Sequence, residues 1–176
     1  ATNHSLMQEY HDTEWGVPLH DDRKLFEFLV LEGFQAGLSW LIVLKKREAF
    51  REAFDDFDPA IVACYDAEKI NSLLQNPEII RNRQKIEACV NNARCFLKIQ
   101  QEFGSFDRYI WGFVDYQPVV KHFTDLSQLP ARTPLSDQIS ADLKKRGFKF
   151  VGSTVVYAHL QATGMVAGEL PGDAAR

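Results

Sequence analysis

The chain has 176 residues, of which 45% are hydrophobic, 25% are charged and 12% are aromatic. A chain of this size and composition can bury a sizeable core, which excludes a disordered tail and a disulfide-stapled miniprotein. The formal net charge of −4 argues, taken alone, against a nucleic-acid-binding protein, because such domains are usually basic on at least one face. The net charge does not show how the charged residues are distributed along the chain.

The three cysteines, Cys64, Cys89 and Cys95, are odd in number and lack Cys-x-x-Cys spacing, which indicates free thiols in a reducing compartment. The first residues, ATNHSLMQEYHD, lack the charged-then-apolar pattern of a signal peptide. No run approaches the ~18 apolar residues of a membrane span. We expect one domain over residues 1–176, cytoplasmic, monomeric and without membrane contact.

Helical periodicity dominates the chain from residue 22 onward. A first stripe contains Leu25, Phe28, Leu29 and Glu32, and Ser39 is a candidate N-cap of the next helix, which Pro59 limits. The pattern predicts irregular structure in the N-terminal YHDTEWG segment, at 116–135 and in a hairpin loop at 148–151. Further helices are predicted at 59–64, 66–75, 82–103, 106–113, 136–146 and 152–163. We therefore expect an all-α fold of about eight helices.

Glu32 breaks the pattern of its helix. It lies on the apolar stripe and close to the helix C-terminus, where the macrodipole disfavours a negative charge. Either the helix ends earlier and the carboxylate reaches solvent, or the carboxylate is buried and has a compensating partner. Tyr10, Trp15 and Trp40 lie nearby in the sequence, and flat aromatic faces beside a carboxylate suit a cationic or amino-bearing heterocycle.

A second cluster is the run KKRGFKFVG, Lys144 to Gly152. Gly147 suits a left-handed helix C-cap, and a new helix is predicted to start near Gly152 and Ser153. Its free N–H groups would attract a phosphate, and Lys144, Lys145 and Lys149 add positive charge. A solvated basic helix end explains the charge run equally well.

The runs YHDTEWG, LEGFQAGLSWLIVLKKRE, IIRNRQKI and LKKRGFKFVGSTVVYAHLQATG resemble the 3-methyladenine DNA glycosylase I family, over about Leu6 to Val166. The family is a divergent branch of the helix-hairpin-helix DNA glycosylases. The resemblance implies a pocket between two intertwined helical lobes and a hairpin element at about 136–163. It also implies that the protein flips 3-methyladenine out of alkylated double-stranded DNA and hydrolyses the glycosidic bond, without a lyase step, releasing the free base.

The resemblance also assigns roles to residues. Glu32 corresponds to the catalytic, base-binding carboxylate, Trp40 to the stacking residue, and Tyr10 and Trp15 to further pocket walls. Met7 stands where an aromatic pocket residue is expected, which puts the pocket shape in doubt. The remaining positions match DNA-contacting segments: Gln35, Gly37, Leu38, Lys144, Lys145, Gly147, Lys149, Gly152 and Ser153.

Family members also bind a structural zinc through two Cys and two His, and here the sequence departs from the family. His11 is the one ligand present, the N-terminal Cys position falls before Ala1, and the C-terminal positions carry Glu169 and Asp173 if the tail aligns without gaps. An imidazole with two carboxylates does not make a tetrahedral thiolate–imidazole site. We therefore expect no zinc and no other cofactor.

Three alternatives remain open from the sequence. The chain could be a glycosylase for another lesion, such as 3-methylguanine, a non-catalytic helix-hairpin-helix DNA-binding module, or a helical protein-interaction domain. The basic runs 45–47, 81–85 and 144–149 show that the negative total does not exclude one basic face. They predict DNA binding with a modest salt dependence and selectivity located in the pocket.

Overall fold

The computed structural model describes residues 3–35, 38–122 and 130–169 of the chain. Nine α-helices and two short strands lie in these ranges. The first half contains α1 (Asn3–Thr13), α2 (Asp22–Gln35), α3 (Trp40–Ala53), a 3-10 turn (Asp55–Phe57), α4 (Pro59–Val62) and α5 (Ala67–Leu74). The second half contains α6 (Arg83–Phe103), α7 (Phe106–Gly112), β1 (Val119–His122), α8 (Pro134–Lys145), α9 (Ser153–Ala162) and β2 (Val166–Glu169).

The mostly helical fold confirms the predicted class. From α2 onward, the helices predicted from the apolar stripes are present, with ends that differ by a few residues. The expectation of irregular structure in the YHDTEWG segment is wrong for Tyr10 to Thr13, which lie in α1, whereas Glu14 to Gly16 form a turn. The predicted connection at 116–135 contains β1, which pairs in parallel with β2 so that Val119 is opposite Val166. Gly37 and residues 170–176 lie outside the described ranges.

Helix α2 is the central element of the fold. Ten of its fourteen residues are buried, and it packs against α3, α6, α7 and α9. Glu27 on α2 is 1% exposed and accepts two hydrogen bonds from Arg51 on α3, from Nε and Nη2, both at 2.9 Å. A bidentate ion pair fixes orientation as well as distance, so this pair holds the last turn of α3 against the first half of α2.

The apolar side chains form two clusters. The larger one contains most of the phenylalanines together with Trp111, which is fully buried. The smaller one consists of Tyr10, Phe28, Leu44 and Ala162, from α1, α2, α3 and α9. Because α2 contributes to both clusters, it connects the main core to the face where the candidate site residues lie. Within the described residues, no helix is both long and apolar enough to span a membrane.

Candidate active site

Glu32 is buried and lies one turn before the end of α2. Its exposed fraction is 6%, so the alternative in which α2 ends early and the carboxylate reaches solvent is wrong. Burial raises the pKa of the Glu32 carboxyl from an ordinary value of 4.5 to about 8. Among the described residues, no side chain or backbone group hydrogen-bonds to it. A buried carboxyl without a partner is costly unless a bound molecule compensates it.

Tyr10 and Trp40 form an aromatic wall beside Glu32. Their ring centroids are 5.6 Å apart with the planes inclined at 46°, and Phe28 lies 6.4 Å from the Tyr10 ring. The pKa of the Tyr10 hydroxyl is raised by burial and, in second place, by the Glu32 charge, so the two groups interact electrostatically. Helices α1, α2 and α3 thus all contribute side chains to the same small region.

The indole N–H of Trp40 is buried and makes no hydrogen bond of ordinary geometry within the described residues, although it interacts with the Tyr10 hydroxyl and lowers the pKa of that group. Buried polar groups are satisfied in the great majority of folded proteins, and unsatisfied ones mark strain or a missing ligand. The Trp40 indole N–H and the Glu32 carboxyl both act on the Tyr10 hydroxyl, and neither has a hydrogen-bond partner of ordinary geometry in the described part of the chain. The region is therefore chemically incomplete in the way expected of a binding pocket.

Trp15 lies at the margin of this region, in the turn after α1. It packs against the smaller apolar cluster, and its ring stacks on His11 with centroids 6.1 Å apart and planes 12° apart. The turn is tied to the end of α9, because Gly16 N–H donates to the Ala162 carbonyl at 3.2 Å. Met7, whose role was in doubt from the sequence, is 38% exposed on α1 and does not belong to either apolar cluster.

Gly164 is the residue that lets this N-terminal segment approach α9. Its φ is +78°, and a Cβ there would lie 2.5 Å from the Pro18 nitrogen. No side chain fits in that space, and the left-handed backbone is costly for residues other than glycine. The sequence places Phe28 on the apolar stripe of its helix and Gly164 at the end of the helix predicted at 152–163, but it does not identify either as part of the site.

A tight turn joins Glu32 to Trp40. Gln35 ends α2, and its side-chain Nε2 donates to the Leu38 carbonyl at 2.7 Å, while the Leu38 N–H donates back to the Gln35 carbonyl at 2.7 Å. Ser39 then caps α3 by accepting from the N–H of Ile42, as predicted. These hydrogen bonds tie the end of α2, which carries Glu32, to the residue that precedes the cap of α3.

The predicted hairpin is present between α8 and α9. Gly147 has a left-handed φ of +96°, and Lys144, Lys145 and Lys149 are exposed. Gly152 is the N-cap of α9 and provides no side-chain cap, so the N–H groups of the first turn remain available to an anion. The Ser153 hydroxyl is engaged with that of Ser136 at 2.8 Å, which joins the starts of α8 and α9.

Helix α6 holds the hairpin in place. The Asn92 side chain donates to the Lys149 carbonyl at 2.8 Å and accepts from the Lys149 N–H at 2.9 Å. Asn91 donates to the Gly147 carbonyl at 2.8 Å. These two asparagines were not singled out from the sequence, because an Asn in the middle of a long helix carries no local signal of a partner more than fifty residues away.

The donor set available for a metal is poor in the described part of the chain. No group of three or more His, Cys, Asp or Glu side chains there could hold an ion. His11 Nδ1 lies 3.3 Å from the Asp12 carboxylate. The side chain of Glu169 and all of Asp173 lie outside the described residues.

Comparison with known proteins places the chain in one family. The family model described as methyladenine glycosylase matches residues 1–172. DNA-3-methyladenine glycosylase 1 of Escherichia coli (strain K12) is 50% identical over 167 residues, 95% of this chain and 89% of that protein. DNA-3-methyladenine glycosylase of Haemophilus influenzae (strain ATCC 51907 / DSM 11121 / KW20 / Rd) is 47% identical over 166 residues, 94% of this chain and 90% of that protein.

Solved structures show the same fold. A crystal structure of 3-methyladenine DNA glycosylase I is 52% identical and superposes with a TM-score of 0.88, covering 92% of this chain and 88% of that one. A tyrosine-to-phenylalanine variant of 3-methyladenine DNA glycosylase I, solved in complex with 3-methyladenine, is 42% identical with a TM-score of 0.89, covering 92% and 87%.

Proposed function

The chain belongs to the methyladenine glycosylase family, and we propose that it excises 3-methyladenine from alkylated double-stranded DNA. The reaction is hydrolysis of the N-glycosidic bond, with no lyase step, as the first step of base-excision repair. The observation that carries this proposal is the buried Glu32, which interacts with Tyr10 next to Trp40 and has no hydrogen-bond partner within the described residues. Relatives named DNA-3-methyladenine glycosylase and a related structure that holds 3-methyladenine support the choice of base.

Charge explains how this pocket would discriminate between bases. Methylation at N3 makes adenine cationic while it is attached to the sugar, whereas undamaged adenine is neutral. The pKa of Glu32, about 8, means that the empty pocket holds a neutral carboxyl at pH 7. A bound cation stabilises the ionised carboxylate, so the cationic base is favoured. A neutral base provides no such compensation for a buried negative charge.

Stacking and hydrogen bonding complete the recognition. The Trp40 ring supplies a flat face on which an extruded base stacks, and Tyr10 supports that ring at a centroid distance of 5.6 Å. The indole N–H of Trp40, which makes no hydrogen bond of ordinary geometry in the described part of the chain, can donate to an acceptor in the pocket. Trp15, at the margin, encloses the base from the side of the turn after α1.

Cleavage of the glycosidic bond of the methylated nucleotide does not require a strong general base. The cationic nucleotide already has a labile glycosidic bond, and the departing 3-methyladenine is neutral, so an oxocarbenium-like sugar forms readily and water captures it. Glu32 contributes by holding the base in its cationic form up to bond cleavage. Lys149 is exposed, and its backbone rather than its side chain is bound by Asn92, which fits a phosphate contact and not a Schiff-base nucleophile.

The hairpin is the proposed DNA-docking element. The uncapped first turn of α9 offers backbone N–H groups to one phosphate, and the exposed Lys144, Lys145 and Lys149 add local positive charge. Gln35 and Leu38, in the turn between α2 and α3, would face the space left by the flipped nucleotide. Few phosphate contacts imply a modest dependence of DNA affinity on salt, consistent with a net charge of −4.

The deciding experiment identifies the product. The protein is incubated with randomly methylated duplex DNA at fixed salt, and the released bases are identified by mass spectrometry, with a Glu32→Gln variant in parallel. Release of 3-methyladenine by the wild-type protein, and much slower release by Glu32→Gln, supports the proposal. Release of 3-methylguanine or a bulkier base instead would assign another lesion, for which Met7 in place of an aromatic residue would be the reason. DNA binding without base release would indicate a non-catalytic module.

We also propose that the protein works as a zinc-free monomer in the cytoplasm. The support for the absence of zinc is the sequence, in which Glu169 and Asp173 stand where the family has a His and a Cys. The three free cysteines, of which Cys89 and Cys95 are buried in α6, fit a reducing compartment. Metal analysis of purified protein tests the first point, and one equivalent of tightly held zinc would overturn it.

A further inference from the structure

Arg47 belongs to a basic run in the sequence, yet its side chain does not face solvent. Its exposed fraction is 14%, and its guanidinium makes a bidentate pair with Glu14, from Nη1 at 2.9 Å and from Nη2 at 2.8 Å. The guanidinium carbon also lies 5.9 Å from the centre of the Tyr10 ring. Arg47 is on α3 and Glu14 follows α1, so the pair joins the two elements that carry the aromatic wall.

The Glu14–Arg47 pair contacts Tyr10 at two points, the backbone carbonyl through Glu14 and the ring through Arg47. The Tyr10 carbonyl accepts the N–H groups of both Glu14 and Trp15 at 3.0 Å, which closes the turn after α1. The Glu14 side chain then reaches across to α3, two helical turns beyond Trp40. A planar bidentate pair resists both sliding and rotation, which a single lysine contact does not.

The charges of Glu14 and Arg47 also affect the electrostatics of the pocket. Both Arg47 and Glu14 act electrostatically on the Tyr10 hydroxyl, in opposite directions, and Glu32 acts on the same hydroxyl. An uncompensated guanidinium at this distance would repel a cationic nucleotide from the pocket. Glu14 cancels that charge locally, so Arg47 can support the wall without opposing the substrate.

We propose that the Glu14–Arg47 pair is a positioning pair for base recognition, which holds Tyr10 against Trp40 and neutralises the guanidinium beside the pocket. This inference rests on the proposed function for its substrate, and it assigns roles to two residues that contact Tyr10 and α3, not the reacting atoms. The chain offers a matched control in Arg51, one turn further along α3, whose bidentate pair with Glu27 lies away from Tyr10.

The first measurement needs no ligand. In protein labelled with ¹⁵N at tryptophan, the Trp40 indole resonance reports the position of the Tyr10 ring. Arg47→Ala and Arg47→Lys should both shift it, and Arg51→Lys should not, although Arg51→Lys also breaks a bidentate pair. An unmoved Trp40 resonance in a folded Arg47→Ala protein would overturn the positioning role, as would an equal shift in Arg51→Lys.

The second measurement separates geometry from charge. Arg47→Ala should weaken binding of free, neutral 3-methyladenine by roughly two- to fivefold, the factor expected for one lost cation–π contact, with affinity for abasic DNA unchanged. Glu14→Ala should slow excision from methylated DNA more than it weakens binding of the free base, because it leaves Arg47 unneutralised. Adding Arg47→Ala to Glu14→Ala should then restore part of the excision rate.

Excision that is no faster in the double variant than in Glu14→Ala would overturn the electrostatic role. The proposed function fails by a different observation, namely that the wild-type protein releases no 3-methyladenine. In that case a shifted Trp40 resonance in Arg47→Ala would still support the positioning of Tyr10, so the two failures are distinguishable.

Discussion

Replacing Glu32 with Gln should make the folded protein more stable and the enzyme less active. Burial raises the pKa of Glu32 from 4.5 to about 8, so the folded protein keeps this proton in a pH range where the unfolded chain has released it. The unfolded state therefore binds fewer protons between these two values, and the stability of the wild-type protein falls as pH rises through them. Gln has nearly the same shape and does not ionise.

The size of this stability difference follows from the change in the pKa of Glu32 on folding. One pKa unit corresponds to about 1.4 kcal/mol, so Glu32 should cost about 3 kcal/mol of unfolding free energy at pH 7 and about 5 kcal/mol above pH 8. The advantage of Glu32→Gln over wild type should accordingly be smallest near pH 4.5 and grow until it levels off above pH 8. This is a large fraction of the stability of a typical domain.

Urea unfolding of wild type and Glu32→Gln, followed by tryptophan fluorescence at about pH 5, pH 7 and pH 9, measures this difference. Glu52→Gln is a suitable control, because Glu52 is exposed on α3. Its unfolding free energy should differ from that of wild type by the same amount at each pH. A Glu32→Gln difference that does not change with pH would refute the reasoning, since it would mean that the carboxyl is not desolvated.

The excision activity of Glu32→Gln should be lower than that of wild type, although its stability should be higher. Without an ionisable group, the pocket cannot balance the cationic base, and excision of 3-methyladenine should slow by roughly a hundredfold, the factor for about 3 kcal/mol of lost charge compensation. Single-turnover assays at fixed salt measure this rate. A fully active Glu32→Gln protein would show that the carboxylate does not select the cation.

Three further predictions concern other residues. Trp40→Ala should weaken binding of free 3-methyladenine by roughly tenfold or more, as expected for a lost stacking face, measured by calorimetry; unchanged affinity would exclude the stacking role. Phe150 is exposed in the hairpin, and its φ of +57° strains the backbone of a residue other than glycine. Phe150→Gly should therefore raise the unfolding free energy by about 1 kcal/mol in urea titrations. A lower unfolding free energy would show that the Phe150 ring is needed for packing. His159 is fully buried, and desolvation lowers its pKa from 6.5 to about 4. As pH falls from 6.5, the unfolded chain therefore binds a proton at His159 that the folded protein does not bind. The unfolding free energy should accordingly drop by about 3 kcal/mol by pH 4. That drop should be reduced in His159→Gln, and an unaltered acid profile would contradict it.

The sequence by itself determined the local features of the protein. The helix at 83–103 and the cap at Ser39 follow from patterns that are complete within one or two turns. Gly147 marked the hairpin because glycine tolerates the left-handed backbone that ends α8. The family resemblance then identified Glu32, Tyr10, Trp15 and Trp40 together, which periodicity alone did not do.

Only the tertiary structure decided the features that depend on distant partners. The pairing of β1 with β2 joins segments far apart in the chain, and the clamp of Asn92 on Lys149 spans 57 positions. The fate of Glu32 was undecidable locally, because the same helix end could have faced solvent. Burial depends on what packs around a side chain, and a pKa follows from burial, so the charge state of the pocket appears only once α1, α2 and α3 have come together.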